Sequence, residues 1–363
     1  MKRISVQVPG NSYPVYIGEN LFNELHRLVD KHALPKNIFF VIDSNVHKIH
    51  YKKIERIEKL IKDKSSKIII EANENNKTLK TVSYIFSNLQ QKGFGRDTLM
   101  IAIGGGIIGD IAGFAAATYM RGISYVQVPT TLLAAADSSV GGKTGVNFGK
   151  YKNQIGAFYQ PSFVLIDPSF FKSLPFEELV CGFGEIVKYA YLTNSYFFNY
   201  VYRLSKKINS LTAKELIKLV SHSVNFKASV VTTDEKESGL RKILNLGHTF
   251  AHAIETAVNY KIKHGQAVVV GLACSFHLSY ELELISKSQL DEFLKLLMNF
   301  KKYVSISSID KSTTYKSMFT DKKNRDGKIR FVLLKAFGKI LVDVEASKQH
   351  IFSAIEKGLQ NFS

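Results

Sequence analysis

The sequence predicts an α/β domain built on a parallel sheet, followed by a mainly α-helical domain. Three observations carry that expectation. Residues 1–170 alternate short β-branched apolar runs with amphipathic helical patterns, and such alternation points to parallel strands covered by helices on both faces. From 171 onward the apolar spacing is mostly helical. The chain has 363 residues, long for one core and ordinary for two domains. The expected division is therefore 1–170 and 171–363.

Taken in order, Arg3–Pro9 and Tyr13–Ile17 read as a hairpin turning at Gly10-Asn11. Asn37–Asp43, Lys67–Glu71, Thr98–Ile103, Ser124–Pro129 and Phe163–Asp167 are short apolar strands with helical patterns between most of them. The character changes near Pro168–Pro175. Beyond it, helices are expected over 176–202, 212–230, 241–259, 265–284, 288–299 and 346–360. One late hairpin, Ile329–Leu334 with Lys339–Val344, interrupts them. The sequence has no internal repeat and no low-complexity segment.

Composition narrows the class. Hydrophobic residues make up 45% and charged residues 22% of the chain, as in ordinary globular proteins. Two cysteines, Cys181 and Cys274, are too few for a disulfide scaffold and suit a reducing compartment. No signal-type block follows the basic N-terminus, and no apolar run is long enough to span a membrane. A cytoplasmic protein without membrane or nucleic-acid partners is expected. The net charge of +18 is read as a lysine-rich surface: YKKIERIEKLIKDKSSK (51–67) mixes signs at helical spacing, and no basic run is interleaved with base-stacking aromatics. A small anionic substrate is the other use for that charge.

Four stretches can carry chemistry. IAIGGGIIGDIAGFAAATYMRG (101–122) runs a strand into three glycines and a small-residue helix. That pattern fits a phosphate-binding helix N-terminus, or a tight turn with close helix packing; it does not match G-x-G-x-x-G. VPTTLLAAADSSVGGKTGVNFGKYKNQIGAFYQP (128–161) mixes Gly, Ser and Thr with lysines and aromatics, which suits a structured anion-binding loop better than a linker. In FGEIVKYA (183–190), Glu185 and Lys188 share a helix face; alone, that is a surface ion pair. LNLGHTFAHAIE (244–255) puts His248 and His252 four residues apart, and His264 opens the apolar run HGQAVVVG (264–271). Spacing alone favours a two-histidine metal clamp, and a Glu with two His leaving an open position is a catalytic-zinc set.

Together, GGGIIGD, ATYMRG, PTTLL, DSSVGGKTGVN, IGAFYQP, GEIVKYA, DEKESGLRKILNLGHTFAHAIE and HGQAVVVG, in this order, resemble the 3-dehydroquinate synthases. The resemblance runs from about residue 40 to DKKN at 321–324. It implies a Rossmann-like nucleotide-binding domain, a helical metal-binding domain and a site between them, with NAD and a divalent metal, zinc or cobalt, as cofactors. It also implies a homodimer that converts 3-deoxy-D-arabino-heptulosonate 7-phosphate to 3-dehydroquinate and phosphate. A ring hydroxyl would be oxidised and later restored around the elimination of phosphate, so NAD is regenerated and the enzyme is a lyase.

The same resemblance assigns residues. Glu185, His248 and His264 bind the metal, and His252 instead contacts phosphate and moves protons. Glu237 accepts a proton, and Lys143 serves catalysis and phosphate binding. Asn153, Asn245 and one of Lys322 or Lys323 join Lys143 and His252 at the phosphate, and Arg121 reaches it from the partner subunit. Arg241 and Lys227 hold the carboxylate. Asp137, Lys188 and Glu185 face the ring hydroxyls. Asp43, Asn45, Glu74, Lys77, Gly105, Gly106, Ile107, Asp110, Thr130, Thr131 and Lys152 line the NAD site; Asp43 and Asn45 also follow a strand end, where such sheets bind ligands. Ala135, Cys181, Ala251 and Gln266 depart from the usual family residues. A cyclase acting on a carboxylate-free sugar phosphate, or a polyol dehydrogenase, would lack a use for Arg241 or for the phosphate-facing lysines respectively.

Overall fold

Strands buried on both faces need apolar sequence along their whole length, and three runs here provide it: NIFFVID, TLMIAIG and SYVQVP are buried almost throughout. The computed structural model describes residues 1–61, 64–149, 151–304, 306, 309–319 and 328–363. In chain order these form β1 (Lys2–Val6), β2 (Tyr13–Ile17), α1 (Leu25–Lys31), β3 (Asn37–Asp43), α2 (Ser44–Leu60), β4 (Ser65–Ile70), α3 (Leu79–Gln91), β5 (Thr98–Gly104), α4 (Gly106–Thr118), β6 (Ser124–Pro129), β7 (Lys143–Phe148), β8 (Tyr151–Phe158) and β9 (Phe163–Ile166). There follow α5 (Phe176–Leu192), α6 (Ser195–Ser205), α7 (Ala213–Thr233), α8 (His248–Ala257), α9 (His264–Glu281), α10 (Lys287–Met298), α11 (Lys311–Met318), β10 (Phe331–Ala336), β11 (Lys339–Val344) and α12 (Lys348–Gln360).

Two compact units result. The first comprises Met1–Leu174 and Thr212–Lys236, the second Pro175–Leu211 and Glu237–Ser363. A single division at residue 170 therefore misses one feature: α7 returns to the first unit, where it packs on β1.

In the first unit a seven-stranded sheet has the order β1-β2-β9-β6-β5-β3-β4. Only the β1–β2 pair is antiparallel; the remaining neighbours are parallel. Phe39, Val41, Met100 and Ala102 from the sheet meet Ile85, Leu89, Ile108 and Ala112 from α3 and α4 in one core. The segment expected to be an anion-binding loop contains a two-stranded hairpin, β7–β8, whose register shifts between Val146 and Phe148.

The second unit is built around α9. This helix is buried on nearly all sides, as expected of a helix apolar all round, and α5, α8, α10, α12 and β10 pack on it. Two expected helices are interrupted. The 176–202 run breaks at Thr193-Asn194, where Asn194 caps α6 through Phe197 N. The 241–259 run breaks at Gly247, whose φ of +78° is the left-handed conformation that favours glycine. Leu240–Asn245 forms 3₁₀ turns before it, so His248 is the first residue of α8. No helix among the described residues is long and apolar enough to cross a membrane.

Candidate active site

In the second unit, glycines let three helices meet. A Cβ at Gly184 on α5 would lie 2.2 Å from the Gly265 carbonyl oxygen, and one at Gly265 would lie 1.8 Å from that of Cys181. A Cβ at Gly271 would lie 2.3 Å from the Gly247 oxygen. The bare backbones thus allow α5 and α8 to touch α9 next to Glu185, His248 and His264. His248 Nε2 lies 3.3 Å and His264 Nε2 3.1 Å from the same atom, Glu185 Oε1. All three ligand atoms fall within 4.8 Å of one another.

That set fits a divalent ion. Zinc bonds of about 2.0–2.1 Å in a tetrahedron put neighbouring ligand atoms roughly 3.3 Å apart. His248 Nδ1 faces the Leu246 carbonyl oxygen at 3.2 Å. A neutral imidazole has one proton for two acceptors, the carbonyl and Glu185. A cation beside Nε2 resolves the conflict, leaving Nδ1–H to donate to the carbonyl.

Electrostatics agree. Burial opposes the charge of Glu185, but Lys188, His248 and His264 outweigh it and hold the carboxyl well below the usual range. Lys188 Nζ is 2.5 Å from Glu185 Oε2, an ion pair lying off the hydrogen-bond direction. Both side chains are essentially inaccessible, at 2% and 0% exposure, so this is no surface pair. Burial and Lys188 push His248 down to about 4, which leaves it neutral and able to ligate. Burial would also lower His264, but hydrogen bonds to Glu185 and Glu255 prevail and raise it to about 10.

The pair His248 and His252 divides. His248 groups with Glu185 and His264, whereas half-buried His252 groups with Glu255 and His264. The rings of His248 and His252 stand edge to face at 5.4 Å. Nearby in sequence, Asn245 donates to Glu237 Oε1 at 2.7 Å, Glu237 adopts φ +60°, and Arg241 is 2% exposed. Lys322 and Lys323 lie outside the described residues.

In the first unit, the carboxyl ends of adjacent parallel strands β4, β3, β5 and β6 line up the expected NAD residues. Glu74 and Lys77 follow β4, Asp43 ends β3 and Asn45 lies in the first turn of α2, Gly105, Gly106, Ile107 and Asp110 follow β5, and Thr130 and Thr131 follow β6. This is where open α/β sheets bind ligands. Gly105 precedes α4, no side chain makes a capping hydrogen bond to the helix N-terminus, and Cβ atoms at Gly105 and Gly106 would lie 3.1 Å from Thr131 Cγ2 and 3.0 Å from Ser138 Oγ. The glycines thus keep open a narrow cradle suited to a pyrophosphate. Tight packing operates as well: a Cβ at Gly109 would meet Gln127 Nε2 at 2.6 Å. Asp43 Oδ1 also caps α2, accepting from Asn45 N at 2.8 Å.

Other expected residues fall into pairs. Buried Lys77 contacts Asp110 Oδ2 and Asn153 Oδ1, each at 2.5 Å, so Asn153, expected at the phosphate, sits with residues expected at NAD. Lys152 Nζ is 3.7 Å from Glu74. Lys227 Nζ donates to Asp137 Oδ1 and to its backbone carbonyl, both at 2.8 Å, and Asp137 lies in a π-helical turn, a geometry common at functional sites. Lys143 is exposed at the start of β7. Arg121 is exposed in a turn where Met120, Arg121 and Gly122 all have positive φ.

The 3-dehydroquinate synthase N-terminal family model matches residues 67–181, and the C-terminal one matches residues 182–324. The chain belongs to the 3-dehydroquinate synthase family. A 3-dehydroquinate synthase from Caldanaerobacter subterraneus subsp. tengcongensis is 40% identical over 352 residues, 96% of this chain and 98% of that one. Among solved structures, a 2-deoxy-scyllo-inosose synthase complexed with carbaglucose-6-phosphate, NAD+ and Co2+ is 25% identical with a TM-score of 0.87, covering 98% of this chain and 99% of that one. A 2-epi-5-epi-valiolone synthase from Streptomyces hygroscopicus subsp. jinggangensis with NAD+ and Zn2+ bound is 25% identical with a TM-score of 0.86, covering 99% of each.

Sequence reasoning passed over Glu255 and the glycine contacts, and it marked Gln266 as a departure without assigning it a role. Gln266 accepts from Lys263 N through Oε1 and donates to the Tyr303 carbonyl through Nε2, a pairing an ionised Glu, which has no proton to donate, does not make. The one available signal for Glu255 was its spacing, seven residues after His248 and three after His252 on the same helix face.

Proposed function

We propose that this chain converts 3-deoxy-D-arabino-heptulosonate 7-phosphate to 3-dehydroquinate and phosphate, as an NAD- and metal-dependent carbon–oxygen lyase. The observation that carries this reading is the match to 3-dehydroquinate synthases along 96% of the chain, and the buried Glu185–His248–His264 set supports it. When bound, NAD supplies a hydride acceptor restored within the cycle, and the divalent ion supplies charge that acidifies hydroxyls.

The chain's own groups do the rest. Glu185, His248 and His264 hold the ion, and Lys188 keeps Glu185 ionised. Arg241 offers a planar fork to the substrate carboxylate, with Lys227 beside Asp137 serving the same end and the ring hydroxyls. Lys143, Asn153, Asn245, His252 and one of Lys322 or Lys323 bind phosphate, and the His252 imidazole and Glu237 carboxylate move protons. The strand-end residues from Asp43 to Thr131, with Lys152, bind NAD. A homodimer in which Arg121 of one subunit reaches the other's phosphate is part of this reading, and the exposed left-handed turn at Arg121 supports it. So is a cytoplasmic location, supported by two buried free thiols and a phosphorylated substrate.

The solved structures favour a second reading, a cyclase for a carboxylate-free sugar phosphate. Buried Arg241 and the higher identity to 3-dehydroquinate synthases weigh against it. The test offers the purified protein, with NAD and zinc or cobalt, the heptulosonate phosphate and a carboxylate-free hexose phosphate separately. Formation of 3-dehydroquinate from the first alone is expected; cyclisation of the hexose phosphate alone would transfer the assignment to the second reading.

A further inference from the structure

We propose that Glu255 is a positioning residue for the metal centre: its carboxylate accepts the Nδ1 proton of His264 and thereby turns Nε2 toward Glu185 and the ion. The inference rests on the metal-binding reading above and adds a residue to it. Its basis is the two-sided environment of one ring. His264 Nε2 is 3.1 Å from Glu185 Oε1, and His264 Nδ1 is 3.3 Å from Glu255 Oε2.

An imidazole can flip about χ2 and exchange its two nitrogens. The contacts of His264's chain neighbours do not involve the ring. Lys263 bonds Glu178 Oε1, and Gly265 N–H donates to Cys181 Sγ at 3.3 Å. The Gly265 contact anchors the backbone beside His264, and neither contact selects which ring nitrogen faces Glu185. A carboxylate on one side breaks the symmetry, because only a protonated Nδ1 is tolerated against it, and the Nε2 lone pair then faces the other way.

The Nδ1 of His248 is tied to a neutral acceptor, the Leu246 carbonyl, and its side chain is 11% exposed. The side chain of His264 is 32% exposed and has less packing to hold it. The more exposed ring has the charged, stronger acceptor. Glu255 itself is 6% exposed, and it reaches His264 from the same face of α8 that carries His248 and His252. A buried carboxylate there also makes the imidazole a better electron donor to the ion.

One rival arrangement is visible: His252, Glu255 and His264 also lie close enough to share an ion, which would make Glu255 a ligand. Zinc dissociation constants from chelator competition separate the cases, alongside visible spectra of the cobalt-loaded protein. Glu255→Gln keeps an acceptor for Nδ1 and loses the charge; it is expected to keep the metal, with affinity down by no more than about tenfold. Glu255→Ala is expected to lose about 10–100-fold and to shift the cobalt bands. Glu185→Ala should be empty. Melting of the metal-free forms checks folding, and Glu255→Gln, nearly isosteric, keeps the test open if the alanine variant does not fold. Unchanged affinity and cobalt spectrum in a folded Glu255→Ala overturn the positioning role alone. A Glu255→Gln protein as metal-free as Glu185→Ala overturns it in favour of ligation. A Glu185→Ala protein that retains its metal defeats the metal-site reading, and this inference with it.

Discussion

Gly265→Ala tests how the fold builds the metal centre. The added Cβ would lie 1.8 Å from the Cys181 carbonyl oxygen and 2.6 Å from its carbon, both backbone atoms. A relaxed carbon–oxygen contact needs roughly 3.3 Å, so α5 and α9 must part locally by about 1.5 Å. The separation between Glu185 Oε1 and His264 Nε2, now 3.1 Å, would widen toward ~4.5 Å, well beyond the roughly 3.3 Å spanned by two zinc ligands. Overpacking costs about 1–3 kcal/mol, and alanine's better helix propensity offsets up to about 1 kcal/mol. If the metal-bound form must bear the remaining 1–2 kcal/mol or so while the metal-free form relaxes, the zinc Kd rises about tenfold. Chelator competition measures that Kd, and thermal melting in chelator measures the fold. Gly358→Ala is the control. It forces a Cβ to 2.4 Å from Cys274 Sγ and 2.9 Å from its backbone on the same helix α9, about 15 Å along the axis from His264. It should lower Tm and leave the zinc Kd alone. A native Kd in Gly265→Ala, or an equal rise in Gly358→Ala, would refute the reasoning.

His248→Ala should empty the site, while His252→Ala keeps the metal by mass spectrometry and loses about 10²–10⁴-fold in turnover; equal metal loss in both restores the two-histidine clamp. Metal-free protein holds His264 protonated below its raised value of about 10, so zinc uptake at neutral pH should release a proton, and each pH unit of acidification should weaken the apparent affinity about tenfold, as read in weakly buffered dye. Asp167, fully buried, accepts from Phe22 N, Ser169 N and Lys53 Nζ; burial opposes its charge, and these contacts pull its carboxyl below the ordinary 3.8. Its contribution is complete above that value and lost as pH falls through the folded one, so Asp167→Asn should cost about 2–4 kcal/mol in denaturant at neutral pH and much less in acid.

Central strands were legible because burial on both faces leaves no choice of residue: β3 and β6 match the sequence expectation at both ends, and β5 to within one residue. The β7–β8 hairpin was not, since its glycines and lysines alternate exposure without an apolar period. The break at Gly247 was hidden because apolar spacing continues across it, and the left-handed turn is a property of one residue. The polar run KSTTYKSM shows no stripe and still forms α11, capped by Asp310. Nothing periodic in α7 tells which unit it joins; that is decided by contacts with β1, far away in sequence. In the site, residue types and order pointed to Glu185, His248 and His264, although spacing alone favoured pairing His248 with His252. What escaped was geometry between helices: which side of His264 each carboxylate occupies, and which glycines let the backbones meet.

The most direct test follows phosphate and NADH together, with purified protein, sub-stoichiometric NAD, zinc and the heptulosonate phosphate. Many phosphates released per NAD, with no lasting rise at the NADH absorbance, is the predicted result. One NADH accumulating for each substrate consumed would contradict the account and make the chain a dehydrogenase.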